Sequence, residues 1–181
     1  LVQDDSEPAL QTAAAVFEEQ IKSGSKLYMA AGNYGLALIA LHRKDIAEAK
    51  TRLQQVKKTV GEAAARQSLA LNSLAIEIML ASNQTADAVR EARAAIARFP
   101  SSRALAHQYA NALYMSRQYG EAAKFLRKQV QMYREDPVLQ RQLARVYDAQ
   151  GKRALMHMAM AESYSLTGAY SAALEQLDLA R

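Results

Sequence analysis

The feature that most constrains this chain is a spacing. Leu113 and Ala122 stand nine residues apart, and so do Ala40 and Ala49, Met79 and Ala88, and Tyr164 and Ala173. Each pair straddles a short turn-forming stretch within sequence that otherwise favours helix. The stretch AESYSLTGAYSAALEQL, residues 161–177, shows the unit plainly. Ala161 is small and lets a neighbouring helix come close, and Tyr164 lies one turn further on the same side. Thr167-Gly168 ends the first helix, because glycine takes the left-handed cap conformation without strain. Tyr170 is expected to pack across the turn, Ala173 is small again, and Leu177 follows one turn later. RQYGEAAKFL, residues 117–126, repeats the pattern.

The first small or apolar position of each unit falls at Ala37, Ile76, Ala110, Ala144 and Ala161, at intervals of 39, 34, 34 and 17. A 34-residue period in helix-forming sequence means an array of helix pairs, none of which can bury its apolar face alone. The interval of 39 places five extra residues within 56–67, where KKTVGEAA reads as a longer connection. The interval of 17 is half a period and adds one helix. Segment 153–167 then serves as the second helix of the unit opening at Asp136-Pro137 and as the first helix of the last unit. MHMAM fits this double duty, with Met156 and Met160 on one side and Met158 roughly opposite. A helix apolar on both sides is expected to be buried on both, so core filling is preferred here to a methionine-rich binding surface. Ahead of the array, Ser6 and Pro8 open a helix that stops at Gly24. Ten helices are expected, the last over 169–180.

Composition supports an all-α chain. Half the residues are hydrophobic, only three Pro and seven Gly interrupt them, and no stretch alternates apolar and polar as a strand would. The net charge of +5 is spread along the chain and mixed with acidic residues. Nucleic acid would call for a concentrated basic stripe and stacking aromatics, so no nucleic acid partner is expected. The absence of cysteine removes disulfides, thiolate ligands and cysteine nucleophiles. The most apolar run, 27–41, is too short to span a bilayer and contains Asn33 and two Gly. No transmembrane segment or signal peptide is expected. His42, His107 and His157 lack metal-ligand spacing, and there is no HExxH, phosphate loop or paired carboxylate. No catalytic residue, cofactor or metal is therefore expected in this chain, and function is expected to lie in its surfaces.

The 34-residue helix pairs resemble the tetratricopeptide repeat (TPR). His157, Met160, Ala161, Tyr164, Ala173 and Leu177 carry the likeness best, while Ala106, Gln140 and His157 replace the family's first large aromatic. The resemblance implies a TPR-like α-solenoid, a right-handed superhelix of antiparallel helix pairs over 30–181 behind an N-terminal segment and leading helix, 1–29. Its units would be about 30–68, 69–102, 103–136, 137–167 and 154–181. It also implies a concave groove lined by the first helix of each unit, where peptides or partner helices bind. The face opposite Ala110 and Leu113 carries His107, Asn111 and Tyr114, and the next unit places Arg141, Arg145 and Asp148 there. Tyr34, Glu77 and Glu162 are the counterparts in other units. Asn111 matches the asparagine of carboxylate-binding TPRs, but His107 replaces their lysine, which argues against a free C-terminal carboxylate as ligand.

Three longer stretches are more particular: YGLALIALHRKDIAEAKTRLQQV, LAIEIMLASNQTADAVREARAAIARFPSS and ALAHQYANALYMSRQYGEAAKFL, closed by AESYSLTGAYSAALEQLDLAR. Their order, with the half-period at the end, is similar to the C-terminal TPR region of bacterial periplasmic zinc metallopeptidases of the β-barrel assembly-enhancing protease type. The resemblance implies an N-terminal HExxH zinc domain, absent here, and a periplasmic home. It also implies partners among the β-barrel assembly machinery and outer-membrane protein substrates. The chain itself would be the non-catalytic, partner-binding part. The alternative is a free-standing TPR adaptor of the cell envelope. Leu1-Val2-Gln3-Asp4-Asp5 has no targeting features, which favours a cut-out piece.

Overall fold

The computed structural model describes residues 6–181, which form eleven α-helices and no strand. The chain divides into two compact units, one ending at Gln84 and one spanning Thr85–Arg181. The first holds α1 (Glu7–Lys22), α2 (Lys26–His42), α3 (Ile46–Val60), α4 (Glu62–Gln67) and α5 (Leu69–Ala81). The second holds α6 (Thr85–Arg98), α7 (Arg103–Met115), α8 (Tyr119–Met132), α9 (Pro137–Ala149), α10 (Arg153–Leu166) and α11 (Tyr170–Leu179). Within each unit neighbouring helices pack in consecutive pairs, as in an α-solenoid. Helix α10 packs against both α9 and α11, so one helix does serve two pairs.

The nine-residue spacing has a backbone cause. Five turns end their helices in the same way, with Lys44, Asn83, Arg117, Gly151 and Gly168 at φ of 60°, 58°, 59°, 70° and 77°. In each, the next residue's N–H reaches back five positions: Asp45 to Ala40 O, Gln84 to Met79 O, Gln118 to Leu113 O, Lys152 to Tyr147 O, and Ala169 to Tyr164 O, all at 2.8–2.9 Å. This is the Schellman cap, whose paired backbone bonds satisfy the last helical carbonyls. The intervals between the five left-handed residues are again 39, 34, 34 and 17. The starts repeat too. Ser68, Ser102 and Asp136, each 34 residues from the next, are N-caps that accept from Leu71, Leu105 and Leu139 N at 3.3, 3.3 and 3.2 Å.

The count of eleven exceeds the expected ten because the insertion folds. Helix α4 occupies it, and the buried Asn72 side chain donates to the carbonyls of Ser68 (2.7 Å), Arg66 (3.1 Å) and Ala65 (3.4 Å), tying α4 to the start of α5. Ala37, Ile76, Ala110, Ala144 and Ala161 are all buried, as are Ala49, Ala88, Ala122 and Ala173. All but Ile76 are alanines, whose small side chains let helix axes approach within about 8–10 Å.

Two expectations fail at the end of the chain. Tyr170 does not pack across its turn: it is 67% exposed, and Leu177 is 47% exposed. Among the described residues α11 packs against α10 alone, which leaves Tyr170, Leu174 and Leu177 at the surface. Met158 is also no core residue, at 51% exposed. The buried positions of α10 are Ala159, Ala161 and Ser163. These small residues bring both neighbours close, and Met158 projects outside either contact.

In the first unit, α1 docks on α2 through two glycines that the sequence reading treated only as interruptions. A Cβ on Gly32 would lie 2.5 Å from the Phe17 carbonyl oxygen, and one on Gly35 would lie 2.4 Å from the Phe17 ring. The ring can swing aside; the carbonyl belongs to the α1 backbone and cannot. Gly32→Ala is therefore expected to destabilise the protein by about 1–3 kcal/mol, because overpacking exceeds the gain of roughly 1 kcal/mol in helix propensity. Gly120, with open space around its Cα, should instead gain about 0.4–1 kcal/mol as alanine. Urea melts of the two variants check the contrast.

Candidate functional site

The residues that come together lie on α7, α9 and α10 of the second unit. Helix α9 begins at the Asp136 cap, whose carboxylate is 5% exposed and accepts from Val138 N at 2.9 Å and Leu139 N at 3.2 Å. Its other oxygen stands 2.9 Å from His107 Nε2 and 3.5 Å from Arg103 Nε. His107 Nδ1 is 3.3 Å from Gln142 Oε1, and the Gln142 amide donates back to the His107 carbonyl at 3.1 Å. Both ring nitrogens of His107 are thus engaged inside the fold. It joins α7 to the start of α9 rather than presenting itself to a ligand.

One turn and two turns along α9 from Pro137, two arginines are held in place by different means. Arg141 Nη1 donates to Ser163 Oγ at 3.2 Å, and the buried Ser163 hydroxyl donates to Pro137 O at 2.9 Å. The Arg145 guanidinium lies over the Tyr114 ring, 4.1 Å from its centroid, and the Tyr114 and Tyr119 rings are 5.5 Å apart. Stacking on an aromatic face fixes a planar guanidinium while leaving its N–H edge open. Beside them a cleft of about 320 Å³ is lined by Arg141, Ala144, Arg145, Asp148, Met156 and Met160. It has a charged edge and an apolar floor.

The sequence-selected residues therefore divide. Arg141, Arg145 and Asp148 share this cleft, with Tyr114 behind Arg145. Asn111 is half-buried on α7, its amide 3.8 Å from Met115 Sδ. Glu162 lines a different cleft, of about 290 Å³, between α10 and α11, with Tyr170, Leu174 and Leu177. Tyr34 and Glu77 belong to the first unit, where Tyr34 is packed on the core. Burial, and secondarily the Glu77 charge, hold its hydroxyl above the usual tyrosine pKa. Ser163 and Gln142 were not picked out, and Met156 and Met160 were expected to fill the core rather than to form a binding surface; both instead line this open cleft, half-buried.

Among the described residues no cluster of three or more His, Asp or Glu could hold a metal ion. No helix there is long and apolar enough to cross a membrane. No protein-family model matches the sequence, and no curated protein matches it.

Because Asp136 serves both the cap and the His107 contact, Asp136→Ala is expected to cost about 1–2 kcal/mol from the cap alone. Asp136→Asn, which keeps a capping oxygen, should cost less. Chemical denaturation of both variants measures the difference.

Proposed function

We propose that the chain is a non-catalytic protein-binding module whose α9–α10 cleft takes a segment of a partner protein. The observation that carries this reading is the meeting of Arg141, Arg145 and Asp148 with Met156 and Met160 in one solvent-open cleft. Charged groups at a rim and flexible apolar side chains beneath suit a polypeptide better than a small reactive substrate. Selection of peptides from a displayed random library tests it. Cleft binders are expected, and Arg141→Glu/Arg145→Glu should weaken their binding while leaving the helical fold intact, since both arginines are exposed. Peptides that bind the double variant normally would place the site elsewhere.

We further propose that the module is the TPR region of a bacterial periplasmic zinc metallopeptidase acting in outer-membrane protein assembly and quality control. The consecutive helix pairs and the sequence resemblance described above support this. The zinc would belong to a catalytic domain outside this chain, and the partners would be the β-barrel assembly machinery or its substrates. An antibody to this domain can recover the native protein from its source cells. A species well above 19.9 kDa carrying about one zinc per chain is expected, as for a metallopeptidase with a single catalytic zinc. A zinc-free species near 19.9 kDa would instead make it a free-standing envelope adaptor.

A further inference from the structure

We infer that the α9–α10 cleft selects internal polypeptide segments in which an acidic side chain stands next to an apolar one; this rests on the protein-binding reading above. The argument begins with charge. Arg141 and Arg145 are one turn apart on α9, where like charges repel. Among the described residues neither guanidinium lies within 4.0 Å of a carboxylate. Among the described residues, Arg90, Arg98, Arg103 and Arg181 of the second unit do pair with carboxylates, while Arg93, Arg117, Arg127, Arg134 and Arg153 do not. What sets Arg141 and Arg145 apart is that they share one cleft.

The partners that Arg141 and Arg145 do have are neutral. Ser163 Oγ occupies one N–H of Arg141, and the Tyr114 ring covers one face of Arg145. Both contacts orient the guanidinium without neutralising it, and each leaves several N–H groups for an acceptor. A carboxylate is the side chain whose two oxygens match that fork, and it would also relieve the repulsion between the two cations. Next to this pair, Ala144, Met156 and Met160 form an apolar floor in the same cleft. A ligand that put its carboxylate on the arginines would lay its neighbouring side chain there. Asp148, one turn beyond Arg145 on α9, also lines the cleft and disfavours a second acidic group beside it.

The probe is a fluorescein-labelled peptide built on a Glu-Leu pair in a Gly/Ser background, N-acetylated and C-amidated so that no terminal carboxylate takes part. Fluorescence anisotropy is expected to show saturable, salt-weakened binding to the full chain. Replacing Glu by Lys should weaken binding by about tenfold or more, the size of a charge-assisted hydrogen bond. Replacing Leu by Ser should cost about tenfold through lost apolar burial. On the protein side, Arg145→Glu should abolish binding of the Glu-Leu peptide and admit the Lys-Leu one. Met160→Ser should weaken the Glu-Leu peptide through lost apolar contact while sparing the effect of salt on what remains. If the Lys-Leu peptide binds wild type as well as the Glu-Leu peptide does, the inference is wrong. If library selection yields cleft binders but the Glu-Leu peptide does not bind, the inference falls and the protein-binding reading stands. If neither binds the cleft, both fall.

Discussion

A reversal of the backbone at a left-handed residue is what the rest of this structure hangs on. Each of the five Schellman turns closes two backbone hydrogen bonds, and those at Lys44, Arg117, Gly151 and Gly168 turn the next helix back along the one before. Once the turn is fixed, the residue whose carbonyl accepts the longer bond and the residue nine positions later are brought to the same level of the helix pair. Ala40 with Ala49, and Leu113 with Ala122, are such pairs, and all four are buried. At least one member of each of these pairs is alanine, since two large side chains facing each other would hold the helices apart. Three of the five turns place Lys44, Asn83 and Arg117, not glycine, at positive φ. A non-glycine residue in that region costs about 1–2 kcal/mol, so packing on either side of these turns has to offset it.

The same repeat explains why the cleft on α9 and α10 exists. Position 136 is the third N-cap in the series, and positions 141 and 145 face away from the buried Leu139 and Leu143, with Ala144 beside them in the cleft. The half-period then removes one helix from the pattern, so α10 packs on α9 and α11 at once. Its buried positions narrow to Ala159, Ala161 and Ser163. Ser163 is the telling one: a hydroxyl buried between helices needs partners, and it has both Pro137 O and Arg141. A structural requirement of the shared helix thus sets the direction of a side chain at the cleft edge.

Charge is arranged unevenly around that edge. Elsewhere ion pairs form between side chains one turn apart, exposed for Glu19 with Lys22 and half-buried for Glu48 with Arg52; on an exposed helix face such pairs stabilise by only a few tenths of a kcal/mol. Arg141 and Arg145 lie instead beside a hydroxyl and a ring. His107, which shares the α7 face with Tyr114, is turned inward onto Asp136 and Gln142. One face of one helix therefore contributes both a rigid internal joint and the aromatic support of a ligand-facing cation.

The periodic part of the protein was legible in its residues, because local rules produce it. Helix propensity, the Asp136-Pro137 start and the Gly168 stop act over a few residues, and the intervals of 39, 34, 34 and 17 repeat them along the chain. They were enough to place the all-α architecture, the insertion at 56–67, the shared helix and the candidate faces of α7 and α9. Interactions between distant segments were not legible. Gly32 and Gly35 look like helix weaknesses until Phe17 is brought against them. Met156 and Met158 are the same residue type two positions apart, yet the first lines a cleft and the second faces solvent. Tyr170 and Leu177 carry a core-like pattern, but α11 meets a neighbour on one side alone among the described residues. Sequence spacing states which residues share a helix face; what covers that face depends on segments far along the chain, and only the tertiary packing decides it.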